Sequence, residues 1–276
     1  MHPSIEVVPV SPAIGAEVHG VDLAQALDDA RFQHIRAAWL AHLVLLFRDQ
    51  QLDDGALVRF TSRFGELEIA PPFQGRRFVE EFPEVMIIAN AKENGREIGS
   101  LGNVEAFWHS DLNFTEEPPA GSFLHAHEVP PSGGDTGFAN MYAAYETLPE
   151  TLRARIAERR IYHDARFNSA GYLREVQVPD ALHPIVRTHP ETGRNALYLG
   201  RRANAKIDGL PDAESDALLD AVWAHATEPR FTWHHQWRAG DFLMWDNRCT
   251  LHRRDSFDES QRRVMHRTQS RGTRPV

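Results

Sequence analysis

Trp108-His109-Ser110-Asp111 is the stretch on which the reading of this chain turns. In an extended strand successive side chains project to opposite faces, so His109 and Asp111, two apart, point the same way. One imidazole and one carboxylate then face a common point. A divalent ion held by that pair needs a third ligand from elsewhere in the chain. Alone the pattern is weak, because a His two residues before an Asp arises readily in a chain with 15 His and 39 Asp plus Glu.

Company downstream strengthens it. Trp245-Asp246-Asn247-Arg248-Cys249-Thr250-Leu251-His252 is followed by Arg262-Arg263-Val264-Met265-His266-Arg267, so that an Arg stands eleven residues beyond a His. Further blocks are Gly15-Ala16-Glu17-Val18, Gly20-Val21-Asp22-Leu23, Phe64-Gly65-Glu66-Leu67, Pro118-Pro119-Ala120, Pro130-Pro131-Ser132-Gly133-Gly134-Asp135-Thr136 and Arg187-Thr188-His189-Pro190. In this order, over most of the chain, they resemble the H-x-D…H…R pattern of Fe(II)/2-oxoglutarate dioxygenases, in particular the family of taurine dioxygenase and 2,4-dichlorophenoxyacetate dioxygenase. Two His and one carboxylate on one face of an octahedral ion, with the other positions open, is the arrangement of non-haem Fe(II) oxygenases. The resemblance implies a double-stranded β-helix, iron held by His109, Asp111 and His252, and 2-oxoglutarate as co-substrate with dioxygen. It also implies that Arg263 and Thr136, the latter 25 residues beyond Asp111, hold the far carboxylate of 2-oxoglutarate.

Composition excludes several other classes. With 30 Lys plus Arg against 39 Asp plus Glu the formal charge is −9, and no basic run exceeds short Arg pairs such as Arg201-Arg202, which argues against a nucleic-acid surface. Cys249 is the only cysteine, so no intrachain disulfide is available and a reducing compartment fits. No apolar run approaches about 20 residues and the N-terminus has no signal-peptide pattern, so no membrane partner and a soluble, cytoplasmic protein are expected. Length is compatible with a single domain over 1–276. Homo-oligomers are common in the family, although the sequence does not fix the state.

Along the chain, a first strand is expected near 5–9. Residues 28–43 carry Phe32, Ile35, Trp39, Leu40 and Leu43 at helical spacing, with Asp28 or Asp29 as a cap. Val44-Leu45-Leu46-Phe47 reads as a buried strand, and Leu57, Phe60 and Phe64 mark a second helix. Between 66 and 107 the sequence turns irregular, with only 84–90 reading as a strand, and a lid over the metal is expected within 70–107. Strands are expected over 122–129 and from 136 to 140, a helix over 148–159, a hairpin over 184–200 and an amphipathic helix over 212–227 with Leu218, Leu219, Val222 and Trp223 inward. Residues 231–237 and 241–245 are expected to pair around Ala239-Gly240, with a last strand near 262–268. Many short strands with glycine-rich turns and a few flanking helices imply a mainly β jelly roll. A doubly wound α/β sheet is the rival, but strands do not alternate regularly with helices and no G-x-G-x-x-G appears.

Arg267 lies four residues beyond Arg263, and in a strand an even separation puts both on one face. Two buried cations there call for two anions, the co-substrate and an acidic head on the substrate. The rival is that one Arg pairs with a protein carboxylate, with Arg262 facing outward. His125, His127, His163, His189, His225 and His266 read as surface or hydrogen-bonded core. His234-His235 is the one competing pair, but adjacent strand residues face opposite ways and cannot share an ion. Trp245 lines the pocket or packs the core.

The resemblance also carries a mismatch. The taurine enzymes grip the sulfonate through a His and a Tyr after the F-G-E-L block and an Asn before the first metal His. The aligned positions here are Ala70, Phe73 and Glu105. Taurine is therefore a poor candidate, and an aryloxyalkanoate-type carboxylate anchored on Arg267 and surrounded by Phe73, Phe167 and Leu112 is the better one. An alkyl sulfate or sulfonate is the alternative in the same family. A zinc-dependent hydrolase on the same triad is the alternative class, but it leaves Arg263 and Thr136 without a role. A non-catalytic binding protein would have lost a ligand. The role of Glu105 stays open between cation contact, solvent and lid.

Overall fold

The structure is a computed structural model that describes residues 4–72, 77–101, 106–166 and 181–276. Its frame is set by strands whose successive side chains enter two different cores. In Val44–Phe47 and Phe242–Asp246, paired antiparallel, Val44, Leu46, Leu243 and Trp245 face one apolar cluster while Leu45, Phe47, Phe242 and Met244 face another. Burial on both faces explains why these runs are almost wholly apolar. Each fully buried large side chain contributes roughly 1.5–3 kcal/mol.

These strands belong to an eight-stranded sheet. Its order is Glu6–Pro9, Ala16–His19, Val44–Phe47, Phe242–Asp246, Gly121–Glu128, Val264–Ser270, Met86–Ala89 and Ser100–Leu101. Pairing is antiparallel except between the second and third strands and between the last two. A four-stranded antiparallel sheet, Thr232–His235, Thr136–Asn140, Thr250–Arg254 and Ala106–His109, lies against its inner face. Phe138 and Leu251 of the small sheet share one core with Leu124, Leu243, Trp245 and Met265 of the large one. The helices Asp29–His42 and Asp54–Thr61 cover the outer face through Ile35, Trp39, Leu57 and Phe60. This is the jelly roll with flanking helices that the sequence implies.

Local chemistry sets the element ends. Asp28 Oδ1 accepts from Arg31 N at 2.8 Å and Asp53 Oδ1 from Ala56 N at 2.7 Å, each satisfying a first-turn amide. Asp212–Ala226 buries Leu218, Leu219, Val222 and Trp223 as its spacing predicts. Val186–Thr188 pairs with Asn195–Leu197, within the expected hairpin.

Three expectations differ from the structure. The helix expected over 148–159 is the shorter Glu150–Ile156, preceded by a separate helix, Met141–Glu146, which Asn140 caps by accepting from Tyr142 N and Ala143 N. The polar tract after residue 91 contains a small hairpin, Lys92–Glu93 with Arg96–Glu97, turned by Asn94 and Gly95 at φ 50° and 76°. An Asn-Gly pair is the strongest short signal for that turn. Thr232–His235 and Phe242–Asp246 do not pair with each other but lie in opposite sheets. The corner between them is pinned by Asp241, whose Oδ2 accepts from Arg238 N at 2.8 Å, Arg48 Nη1 at 2.6 Å and His235 Nε2 at 3.0 Å. Among the described residues no helix is long and apolar enough to cross a membrane.

Candidate active site

The strand Ala106–His109 stops at its histidine, and Asp111 lies beyond it in a turn, not on the same strand as spacing alone implies. Leu112 follows at φ 44°, half-buried, and Ser110 N donates to Gly200 O at 2.9 Å, which bends the chain back. The two side chains converge all the same. Asp111 Oδ1 is 3.8 Å from His109 Nε2 and 3.8 Å from His252 Nε2. His252, central in Thr250–Arg254, is brought there because it stands directly opposite His109 across the ladder. All three residues are buried, and one ligand atom from each lies within 4.8 Å of the others.

The protonation states suit a cation. His109 Nδ1 donates to Phe107 O at 2.7 Å, which turns the Nε2 lone pair inward. Burial pushes His252 down to about 3, with the His109 charge adding to it, and burial also lowers His109, so both imidazoles are neutral. Burial would raise Asp111, but Arg267, then His252 and His109, hold it down to about 2. Two neutral nitrogens and one anionic oxygen form the donor set that Fe(II) accepts, so the residues fit the metal.

The second oxygen of Asp111 has its own support, which sequence reading missed. Asp111 Oδ2 accepts from Ser122 Oγ at 2.7 Å and Gln269 Nε2 at 3.1 Å. Ser122 Oγ accepts from Asn247 Nδ2 at 2.7 Å, and Asn247 Oδ1 from Trp245 Nε1 at 2.9 Å. The strand register produces this row, since Trp245, Ser122 and Gln269 stand side by side across three neighbouring strands. The only sequence signal was Asn247, quoted in the Trp245 block without a role. Trp245 therefore packs in the core and also anchors this row.

Thr136 opens the strand Thr136–Asn140, buried, its Oγ1 accepting from Trp237 Nε1 at 2.9 Å. Arg263 is 2% exposed, and its Cζ is 5.9 Å from the Trp237 ring. Among the described residues no carboxylate pairs with Arg263. Burial and then the neighbouring Arg254 charge lower its guanidinium to about 9.

Arg267 corrects one expectation. Arg263 precedes the strand Val264–Ser270 and a bulge falls between Val264 and Met265, so the two arginines are not related by simple strand alternation. Arg267 Nη1 lies 3.5 Å from Asp111 Oδ1 and Nη2 3.1 Å from Met86 Sδ, so its nearest anion is a protein carboxylate, the rival reading above. Arg262 faces outward and bonds Glu128 at 2.6 Å, as expected. Phe73, Glu105 and Phe167 lie outside the described residues.

Most of the remaining histidines have structural partners; His163 is the exception to the expected surface or hydrogen-bonded placement, buried with neither ring nitrogen hydrogen-bonded among the described residues. His235 Nε2 bonds Asp241, whereas His234, on the other face, is 3.8 Å from Asp255. His225 bonds Ala144 O at 2.9 Å. His125, His127 and His266 form a ring cluster on the outer face of the large sheet, tied to Asp54 by His266 at 2.6 Å. A second group, His189, Asp246 and Cys249, also brings ligand-type atoms together. His189 Nδ1 accepts from Glu191 N and Thr192 N, so Nε2 carries the proton donated to Asp246, and no lone pair is left for a metal. Arg248 chelates the same carboxylate at 2.7 and 2.8 Å. That group is a buried ionic lock.

Comparison with known proteins extends this picture. A family model described as taurine catabolism dioxygenase TauD, TfdA family matches residues 6–269. The chain is 36% identical to the alpha-ketoglutarate-dependent 2,4-dichlorophenoxyacetate dioxygenase of Cupriavidus pinatubonensis, covering 96% of each. It is 34% identical to the (S)-phenoxypropionate/alpha-ketoglutarate-dioxygenase of Sphingobium herbicidovorans, covering 96% of this chain and 94% of that one. The crystal structure of a taurine dioxygenase from Burkholderia xenovorans superposes with a TM-score of 0.83 at 38% identity, covering 99% of this chain and 93% of that one.

Proposed function

This chain belongs to the TauD/TfdA family of Fe(II)- and 2-oxoglutarate-dependent dioxygenases, and from that premise we propose that it oxidises a small carboxylic acid of the aryloxyalkanoate type. The observation that carries the reading is the convergence of His109 Nε2, His252 Nε2 and Asp111 Oδ1, with Arg267 beside it. In this proposal those three atoms hold the iron. Bound there with 2-oxoglutarate and dioxygen, the iron supplies the oxidising chemistry that yields succinate, carbon dioxide and a hydroxylated substrate.

The chain's own groups do the positioning. Thr136 Oγ1 already accepts the Trp237 N–H, so its hydroxyl proton is free to donate to the far carboxylate of 2-oxoglutarate beside the Arg263 guanidinium. Arg267 shares its charge between Asp111 and the substrate acid, and its buried Nε has no hydrogen-bond partner among the described residues. An acid fixed there presents its neighbouring carbon to the metal. Hydroxylation of the carbon that bears an aryl ether oxygen gives a hemiacetal or hemiketal, whose collapse transfers the hydroxyl proton to the leaving aryloxide and releases a phenol and a 2-oxo acid.

A lid within residues 70–107 of a single domain over 1–276 is proposed, outside the sheet strand Met86–Ala89, whose Met86 touches Arg267. Leu112, Phe73 and Phe167 are the proposed walls for the aryl body, and Glu105 is a further proposed substrate-binding residue. A homo-oligomer in the cytoplasm is the proposed setting, with Cys249 free and buried as a reducing compartment allows. A screen of aryloxyacetates, aryloxypropionates, alkyl sulfates and sulfonates, followed by oxygen uptake and succinate release, tests the reading. Aryloxyalkanoates should stimulate both and release a phenol. Stimulation by neutral or cationic compounds alone would overturn the acid anchor, and turnover without oxygen would overturn the reaction class.

A further inference from the structure

The proposed acid anchor has an edge that the protein itself barely occupies. Arg267 stands in the middle of a row across three strands, with Met86 of Met86–Ala89 directly opposite on one side and Leu124 of Gly121–Glu128 on the other. In an antiparallel pair, directly opposed residues share a face. Leu124 is buried in the core between the two sheets and Met86 packs against that core. All three side chains therefore leave the large sheet on the side of the iron site, where Arg267 meets Asp111.

A guanidinium is planar and presents its donors as forks along its edges. Nη1 of Arg267 donates to Asp111 Oδ1 at 3.5 Å, which turns that end of the group to a metal ligand. Nη2 donates to Met86 Sδ at 3.1 Å, and the buried Nε has no hydrogen-bond partner among the described residues. Nε and Nη2 carry parallel N–H bonds, the pair that a carboxylate accepts bidentately. Against this edge the protein sets one sulfur and no oxygen. A thioether is a weak acceptor on an unbranched chain with three rotatable bonds, so it covers a buried N–H in part and can swing off it. A carboxylate in its place would neutralise the edge permanently, and an amide would give it a strong neutral acceptor.

We infer that Met86 is a specificity-determining residue: its sulfur caps Nη2 of Arg267 in the absence of substrate and yields the Nε–Nη2 edge to the substrate's carboxylate. The inference rests on the acid anchor proposed above. Its consequence is that affinity for the acid falls as the acceptor at position 86 strengthens, and does not follow the bulk of the side chain there.

Calorimetric titration of the Zn(II)-loaded protein with phenoxyacetate, under saturating 2-oxoglutarate and without turnover, provides the test. Met86→Leu removes the acceptor, Met86→Gln supplies a strong neutral one, Met86→Glu supplies an anion, and Arg267→Met reports on the anchor itself. Phenoxyacetate should bind Met86→Leu within about threefold of the parent, Met86→Gln roughly tenfold more weakly and Met86→Glu roughly a hundredfold more weakly. The Kd of 2-oxoglutarate should stay within about twofold in all three, which shows that they are folded with the co-substrate site intact. Equal weakening by Met86→Leu and Met86→Glu makes Met86 a packing residue and overturns the inference. Parent-like affinity in Met86→Gln and Met86→Glu, with Arg267→Met weakened, also overturns it and leaves the anchor standing. If the parent does not bind phenoxyacetate, or Arg267→Met binds it as tightly as the parent, the anchor fails and the inference with it.

Discussion

Ser122 is the side chain whose loss should tell most about how the iron site is built. Its hydroxyl gives Asp111 Oδ2 the shorter of two hydrogen bonds, 2.7 Å against 3.1 Å from Gln269, and also receives Asn247 Nδ2. Ser122→Ala removes one oxygen from a fully buried position and so creates almost no cavity. Asp111 Oδ2 keeps one bond instead of two, and the carboxylate is held less firmly in its orientation. A hydrogen bond to a charged group contributes about 1.5–3 kcal/mol. At 1.36 kcal/mol per decade that is roughly a 10- to 100-fold loss of Fe(II) affinity, the range found when metal-site supporting residues are altered. Anaerobic competition between the protein and a chelator measures it. Gln269→Met, which removes the longer bond, should cost less than Ser122→Ala. Fe(II) affinity within twofold of the parent in both variants would refute the argument that this row holds the ligand oxygen in place.

Other outcomes follow from the same geometry. His109→Ala, Asp111→Ala and His252→Ala should each abolish turnover and Fe(II) binding with the circular dichroism spectrum retained, and near-normal activity with bound iron in any of them would discredit the triad. Arg267→Ala should raise the substrate KM by orders of magnitude and spare 2-oxoglutarate binding, while Arg263→Ala should do the reverse, since losing a partner of a buried ion costs several kcal/mol. In metal-free protein, stability should be greatest above pH 6.5 and fall on acidification. His163 and His252 are each held down to about 3, chiefly by burial, against an ordinary value of 6.5. The unfolded chain takes up those protons between pH 6.5 and 3 while the folded chain does not, a slope of about 2.7 kcal/mol per pH unit for two protons. Urea unfolding at pH 7.5, 6 and 5 measures it, and a flat profile contradicts the assignment; His163→Phe should remove one proton from the slope. Hydrogen exchange over residues 77–83 and 91–101 should slow when substrate binds, whereas equal strong protection in both states would show that these segments are fixed.

The convergence of His109, Asp111 and His252 was legible in the sequence because coordination demands particular residue types, and these three stand at the spacing that such a site requires. The local reason was only half right: the strand ends at His109, and a turn through Leu112 delivers Asp111. Apolar runs such as Val44 to Phe47 were legible because burial on both faces leaves no polar residue in them. Long-range pairing was not. Thr232–His235 and Phe242–Asp246 are near neighbours along the chain, and nothing local shows that Asp241 fastens a corner which sends them to opposite sheets. The same holds for Ser122 and Gln269. Each has an ordinary sequence context and acquires its place only through register with a strand more than a hundred residues away.

The large sheet also works as a partition, with consequences for anyone who alters this protein. Every second residue of Val44–Phe47 and Phe242–Asp246 points away from the iron site into the aromatic layer of Phe47, Phe60, Phe64 and Phe242, whose ring centroids lie 5.5–6.3 Å apart. A library that repacks this outer layer, at Leu45, Met244 or Leu57, searches for thermal robustness behind a wall of backbone that the substrate never crosses. A library drawn from the alternate positions, Val44, Leu46, Leu243 and Trp245, repacks the core between the two sheets, on the side that holds His252. Changes in the two layers share few side-chain partners, so their effects on stability should add to within about half a kcal/mol. Robustness gained on the helix side can then be combined with repacking on the other, without repeating the first search each time the inner core is changed.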